Sequence, residues 1–426
     1  MIIGIDCRTI LHPGVGEQAG VGHYTYHLVK NLLEIDQVNQ YVLFFDSRFK
    51  PGSEFDRPNV RISFFPFYQY KKYLPIAYSH LLATAVINRE NLDIYHSPAN
   101  TIPLSYNRPA VVTVHDLAIY RYPELFPGPV FGRQSLATKV VVPRSLIKAK
   151  KIIAVSKSTK SDIVEEFGIP KEKIKVIYES APQPEQISGE QIANVRKRYG
   201  LGDKYFLFVG TVEPRKNLNV LISAFRNAKL LYDSPLRDFQ LVIAGARGWK
   251  DETIATAIAD ANASLGSGSI KRQGFDRRSG IDNRPSEVKQ QQGERRSSDD
   301  RRVSQAIKHI GYVSGHDKHV LMAGAHAFVF PSLYEGFGLP VVEAMSYGVP
   351  VIAADNSSLP EVVGDGGILI DAAKESELAD ALQQLVTDDG LREELSIKAK
   401  AMAKTFDWRQ CAQETLAVYQ EAVKKG

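Results

Sequence analysis

Residues 327–345 read Ala327-Phe328-Val329-Phe330-Pro331-Ser332-Leu333-Tyr334-Glu335-Gly336-Phe337-Gly338-Leu339-Pro340-Val341-Val342-Glu343-Ala344-Met345. The opening apolar run, stopped by proline, has the length and composition of a buried strand. A glycine-bearing turn follows and passes into a helix, because Pro340 suits a first helical turn, where its missing N–H costs nothing. Gly336 and Gly338 let backbone N–H groups come close to an anion at the positive end of that helix. This is the pattern of a phosphate cradle. Glu343, about one turn into the helix, is placed to accept hydrogen bonds from ribose hydroxyls, and Glu335, before the turn, to point toward a sugar. Alone, either would read as a solvated surface glutamate; their position on either side of Gly-Phe-Gly-Leu-Pro argues for function.

The same alternation runs outward from this stretch. Short apolar runs ending in Gly, Asp or His are separated by amphipathic stretches, as when helices join the strands of a parallel sheet. Strands are predicted over residues 2–5, 41–45, 60–64, 94–96, 110–114, 151–155 and 173–177. A second set covers residues 205–209, 240–244, 307–310, 327–330, 350–353 and 367–370. The predicted class is α/β, two Rossmann-like doubly wound domains facing across a cleft, with the active site between them. Residues 179–191, with Pro182 and Pro184 and little periodicity, read as the linker. The expected units are residues 1–182, residues 183–406, and a last helix in residues 407–426 that crosses back to the first domain. That helix carries Cys411, Leu416, Val418, Tyr419 and Val423 at helical spacing. Residues 264–302 break the pattern: rich in Arg, Ser, Gln, Gly and Asp, they are predicted to be a disordered, solvated insertion. Its arginines would also suit phosphate or lipid headgroups.

Composition narrows the classes. At 426 residues the chain exceeds a single domain of roughly 100–200 residues. An apolar fraction of 44% and a charged fraction of 24% are ordinary globular values. Cys7 and Cys411 form no metal-type cluster, which fits a reducing compartment. The start at Met1-Ile2-Ile3-Gly4 has no basic leader, and no apolar run reaches about 18 residues, so a cytoplasmic protein is expected. A net charge of +5 suits anionic ligands such as nucleotide phosphates, or an acidic lipid surface. No nucleic-acid partner is expected.

Other strand ends carry candidate chemistry. Gly20 and Gly22, in Ala19-Gly20-Val21-Gly22-His23-Tyr24, form a tight loop after the first strand and open a helix expected over residues 24–33. Residues 110–114 run into His115-Asp116. The run Val209-Gly210-Thr211-Val212-Glu213-Pro214-Arg215-Lys216-Asn217-Leu218 places two cations where they would stabilise a leaving diphosphate. As a charge stabiliser, Lys216→Ala is expected to cut turnover on the order of 100-fold while largely sparing the fold. No Asp-x-Asp pair follows a strand, so neither a metal nor a cofactor is expected.

With these motifs, the sequence resembles the retaining GT-B glycosyltransferases of family 4 (glycosyl transferases group 1), whose E-x7-E motif is matched by Glu335 and Glu343. The likeness spans almost the whole chain, continuing through Val242-Ile243-Ala244-Gly245, Gly311-Tyr312-Val313-Ser314 and the stretch from Asp355 to Glu361 and Gly364. The resemblance implies a nucleotide diphosphate-sugar donor held by the second domain, with its base near Tyr312 and Val313, ribose on Glu343 and phosphates on Arg215 and Lys216. Gly20, Gly22, Gly210, Thr211, Gly336, Phe337, Gly338 and Leu339 complete the implied donor site. Arg215, Lys216, Glu335 and His115 form the implied catalytic set, with His115 on the donor sugar. Asp116 and Tyr122 face the acceptor. The resemblance also implies front-face attack assisted by the leaving phosphate, without a carboxylate nucleophile.

Two departures stand out. Thr211 replaces an arginine common in relatives, which moves its charge to Arg215, and Glu179-Ser180 stands where relatives often carry Asn-Gly. The phrasing around Val209–Leu218 and Val114-His115-Asp116-Leu117 looks most like the mannosyltransferase branch, with GDP-mannose ahead of UDP-glucose or UDP-N-acetylglucosamine. The implied product is a bacterial surface polysaccharide such as O-antigen or exopolysaccharide. Aromatics and lysines in residues 67–78, and residues 121–128 leading to a basic stretch at 139–151, point to a glycan or lipid-linked acceptor met peripherally at a membrane surface. Ordinary aromatic packing is the other reading of those stretches. A sugar-nucleotide epimerase of the same fold and a non-catalytic nucleotide-sugar-binding subunit are the remaining alternatives.

Overall fold

The computed structural model describes residues 1–10, 20–65, 76–127, 137–274 and 305–424. One sheet contains β1 (Ile2–Asp6), β2 (Gln40–Asp46), β3 (Val60–Phe65), β4 (Ile94–Ser97), β5 (Ala110–Val114), β6 (Lys151–Ala154) and β7 (Ile174–Val176), in the order β3-β2-β1-β4-β5-β6-β7. The other contains β8 (Lys204–Val209), β9 (Phe239–Ala244), β10 (Ile307–Gly311), β11 (Ala327–Phe330), β12 (Val351–Ala354) and β13 (Gly367–Ile370), in the order β10-β9-β8-β11-β12-β13. Their pairings are parallel throughout. Each predicted strand is present, its ends within one residue of the expected positions. Strand β7 starts late because Lys171–Lys173 closes into a 3₁₀ turn after Pro170. Strand order reverses between β1 and β4 and between β8 and β11, the switch points where doubly wound sheets open a crevice.

Local chemistry ends the helices where the sequence changes. Ser188 and Gln191 form a reciprocal capping box before Gly189–Tyr199, and Gly200 closes that helix at φ +61. Ser156 caps Lys157–Phe167 by accepting from the Thr159 N–H. Asp407 does the same for Trp408–Val423 through the Gln410 N–H at 2.8 Å. This last helix buries Cys411, Ala412, Val418 and Tyr419 in one core with Ile3 and Ile5 of β1 and Leu28 of the helix Gly20–Ile35. Tyr419 Oη lies 2.6 Å from His96 Nδ1 on β4. Leu416 and Val423, expected on the buried face, are only partly covered.

Two expectations need correction. The helix Gly20–Ile35 starts at Gly20, so Gly20 and Gly22 belong to its first turn and not to a loop before it. The helix Glu252–Gly274 runs well into the segment expected to be disordered: it forms over the alanine-rich residues 252–263 and propagates from there past Gly266 and Gly268. The rest of that segment, like residues 67–75, lies outside the described residues.

The two domains touch on the side of the cleft where the chain crosses between them. Glu361, in Leu359–Val363, accepts from the Lys157 and Ser158 N–H groups, each at 3.1 Å, and from Tyr178 Oη at 2.9 Å. A carboxylate from one domain thus sits on the positive end of a helix in the other. Tyr334 Oη donates to Asp162 at 2.6 Å, and Trp249 Nε1 donates to the Leu125 carbonyl at 2.9 Å. Glu361→Ala is expected to weaken closure by about 1–2 kcal/mol and to enlarge the radius of gyration in small-angle scattering. An unchanged scattering curve would assign closure to the tyrosine and tryptophan contacts instead.

Candidate active site

The chain leaves β8 through Gly210 and the exposed Thr211, then makes one tight turn, Pro214–Lys216, before the helix Leu218–Leu230. Asn217 ends that turn at φ +56, a left-handed conformation that asparagine tolerates. The turn brings Arg215 and Lys216 against the chain leaving β11, and the Leu333 N–H donates to the Arg215 carbonyl at 2.9 Å. The segment after β11 is held from behind. Glu335 N–H donates to Ser357 Oγ at 3.0 Å, and Ser358 Oγ donates to the Glu335 and Phe337 carbonyls at 3.0 and 2.8 Å.

Between these two loops lies a buried, charge-balanced cluster. Lys216 Nζ donates to Glu335 Oε1 at 2.5 Å, and Arg215 Nη1 donates to Glu335 Oε2 at 3.0 Å. Arg215 also donates to the Tyr334 carbonyl at 2.9 Å and, through Nε and Nη2, to Glu213 Oε1 at 3.0 and 2.9 Å. Side-chain exposure is 9% for Lys216 and 10% for Glu335, so water screens the pair little. Burial alone would raise the Glu335 carboxyl pKa, but Arg215 and then Lys216 outweigh it and hold the group below its ordinary value. Glu335 therefore faces the two cations, where the sequence had it pointing toward a sugar.

Gly336 shows why glycine is needed after Glu335. A Cβ there would lie 1.6 Å from the His115 carbonyl oxygen, so the turn after β5 and the turn after β11 meet backbone to backbone. Gly338 takes φ +110 and leads into the helix Leu339–Ser346, with Pro340 in its first turn. Leu339 is the first residue of that helix. Phe337 is buried against Tyr178 and Phe406, ring centroids 6.0 and 5.4 Å away, so its side chain packs beside the domain crossing instead of lining the cleft.

Glu343 is 4% exposed and paired with Lys318 Nζ at 2.6 Å. A ribose binding there has to share or displace that ammonium. Nearby imidazoles are neutral: burial, then Lys318 and His319, push the His23 pKa down to about 3. His23 Nδ1 and His319 Nδ1 are buried without a hydrogen-bond partner among the described residues. Tyr312 is half exposed and Val313 buried, beyond the end of β10.

His115 does not offer a free ring nitrogen to the cleft. Its Nδ1 is 2.8 Å from Glu179 Oε1 and its Nε2 is 2.8 Å from the Pro98 carbonyl, so the expected ring contact with a donor sugar requires breaking one of these bonds. Asp116 accepts from the Ala118 N–H at 3.2 Å; burial lowers the Arg215 pKa, but Glu335 and then Asp116 hold it above its ordinary value. The Tyr122 ring lies 5.8 Å from Tyr334 and borders a cleft of about 750 Å³ shared with Glu124, Leu333, Asn356, Asp371 and Lys374. The structure therefore joins Arg215, Lys216, Glu335, Gly336 and the His115-Asp116 turn into one site. Sequence reasoning missed Glu213, Lys318 and Tyr334 as parts of it. Glu213 and Tyr334 sat inside the quoted motifs, whereas nothing in Gly315-His316-Asp317-Lys318 signalled Lys318.

Two family models match the chain, one over each domain. The model described as Glycosyltransferase Family 4 matches residues 19–180, and that described as Glycosyl transferases group 1 matches residues 191–402. An O-antigen chain mannosyltransferase B of Escherichia coli is 30% identical, over 94% of this chain and 95% of its own length. The O-antigen chain mannosyltransferase RfbU of Salmonella typhimurium is 26% identical over 63% of this chain and 58% of its own. Among solved structures, Anabaena HepE in complex with UDP and glucose has a TM-score of 0.64 at 18% identity, covering 98% of this chain and 99% of that one, a likeness of fold.

The buried pairing changes what Lys216→Ala is expected to do. Removing the ammonium leaves Glu335 short of a partner in a dry site, a loss of roughly 3–5 kcal/mol. Denaturant unfolding should show that loss, and the double variant Lys216→Met with Glu335→Gln should recover most of it. A single variant as stable as the parent would mean that the pair is solvated in solution.

Proposed function

The chain belongs to the family 4, group 1 glycosyltransferases, and from that premise we propose that it moves mannose from GDP-mannose, with retention of anomeric configuration, onto a glycan or lipid-linked acceptor of a surface polysaccharide such as O-antigen. The observation that carries this reading is the dry Arg215–Lys216–Glu335 cluster at the switch point of a GT-B fold. Departure of a nucleotide diphosphate leaves negative charge, and preorganised cations in a water-poor site stabilise it best. Glu335 and Glu213 balance those cations. The arriving diphosphate takes over part of their hydrogen bonds to Arg215 and Lys216.

Retention proceeds at the front face. A carboxylate whose two oxygens are held by an ammonium and a guanidinium is a weak nucleophile, which supports a route without a glycosyl-enzyme intermediate. The acceptor hydroxyl gives its proton to the leaving phosphate oxygen as the new glycosidic bond forms. Arg215 and Lys216 supply the charge that a divalent metal supplies elsewhere, so transfer runs without metal. Glu343 receives the ribose diol, which displaces Lys318, and the base lies by Tyr312 and Val313. Residues 1–182 hold the acceptor, residues 183–406 the donor, and residues 407–426 tie the second domain to the first. Mannose is favoured by the similarity to the two O-antigen mannosyltransferases. A lipid-linked acceptor would be met at the membrane surface; among the described residues no helix is long and apolar enough to cross a membrane.

Calorimetry with EDTA present should detect GDP-mannose binding in preference to UDP-glucose and UDP-N-acetylglucosamine. Glu343→Gln should weaken it at least about tenfold, as expected for losing a charged hydrogen-bond acceptor. Binding of a UDP-sugar alone would remove mannose from the reading, and transfer that stops in EDTA would remove metal independence.

A further inference from the structure

Glu179 lies just beyond β7, in the segment that leaves the first domain, while His115 lies at the end of β5. Side-chain exposure is 4% for Glu179 and 12% for His115. The two partners of the imidazole fix its protons. A backbone carbonyl has none to give, so Nε2, 2.8 Å from the Pro98 oxygen, carries a hydrogen. An ionised carboxylate only accepts, so Nδ1, 2.8 Å from Glu179 Oε1, carries one too. A neutral ring donating to Pro98 would instead turn its Nδ1 lone pair onto Glu179, which repels.

The surroundings agree. Burial pushes the imidazole pKa down, but the hydrogen bond and charge of Glu179, with smaller help from Pro98 and Asp116, leave it above the ordinary histidine value. His96, on β4, is driven down to about 3 by burial and then by its repulsion from His115, and so adds no charge. Tyr24, from the helix Gly20–Ile35, meets the ring edge-on at 4.7 Å and stays neutral, as does Cys411 of the last helix, whose thiol pKa burial and Glu179 raise. From the second domain, Gly336 meets the His115 carbonyl and brings no charge.

We infer that Glu179 is a positioning residue for transfer: it holds His115 as an imidazolium and so fixes the His115-Asp116 turn against Gly336. This rests on the glycosyltransferase reading of that cleft. Glu179 also ties the turn to the domain crossing, because the adjacent Ser180 Oγ donates to the Phe406 carbonyl at 2.9 Å. The sign of the pH dependence follows. The pair is complete below the ordinary histidine pKa near 6.5 and is lost as pH rises through the elevated folded value, so kcat/KM falls on the alkaline side.

Glu179→Gln tests this without emptying the site, because the amide N–H₂ donates to the Nδ1 of a neutral ring and preserves the packing. In full-length protein with ¹⁵N-labelled histidine, the His115 signals, identified by their absence in His115→Gln, should show both ring nitrogens protonated at pH 7 in the parent. In Glu179→Gln only Nε2 should remain protonated, and the alkaline limb of kcat/KM should move down by about one pH unit or more. A neutral ring in the parent, or an unmoved limb in the variant, overturns the inference. The NMR readout needs no donor, so failure of the glycosyltransferase reading would show separately, as absent turnover with the imidazolium signals intact.

Discussion

Everything in the cleft is referenced to the contact between Lys216 and Glu335. It joins the first turn after β8 to the first turn after β11, the two central strands of the second sheet. A buried ion pair of this kind adds little net stability over an apolar pair but is costly to break on one side, which makes its geometry hard to vary. Arg215 adds a second bond to the same carboxylate and a third to the Tyr334 carbonyl. The position of Gly336, and with it the close approach of His115, follows from where Glu335 is held.

Neutrality sets the energetic task of the donor. Two cations facing two carboxylates have no charge to spare, and so, by themselves, they do not draw in an anion from a distance. On the proposed reading, what they offer is exchange: a diphosphate oxygen would replace a carboxylate oxygen on donors already in place, with little reorganisation. Glu343 is likewise already paired, with Lys318, so on the same reading a ribose diol arriving there would replace an ammonium.

The sheets were legible in the sequence because strands buried on both faces of a parallel sheet are nearly continuous apolar runs, and here each run ends in a residue that breaks it. Placing Arg215, Lys216, Glu335 and Gly336 at strand ends was legible for the same reason. Partners were not. Glu335 lies far along the chain from Lys216, and Glu361 from the helix end it covers, and no local periodicity encodes such pairings. His115 illustrates the limit: its place at the end of β5 marked it for the cleft, while its ring is taken up by Pro98 and Glu179. At Glu252–Gly274, composition misled, since the Ser and Gly of residues 264–274 read as disorder although a helix already formed over the alanines before them runs on through them.

Histidines around this cleft differ in protonation for a reason that composition cannot supply. His23, His27 and His96 lose their protons to burial, with Lys318, His23 or His115 adding repulsion. His115 is as deeply enclosed, yet a carboxylate at 2.8 Å reverses the outcome. The cleft thus has neutral imidazoles near Glu343 and a charged one behind Gly336. The charged one is balanced by Glu179, so it acts through geometry: it fixes the turn that meets Gly336, and a turn already held in place needs no reorganisation during the proposed transfer.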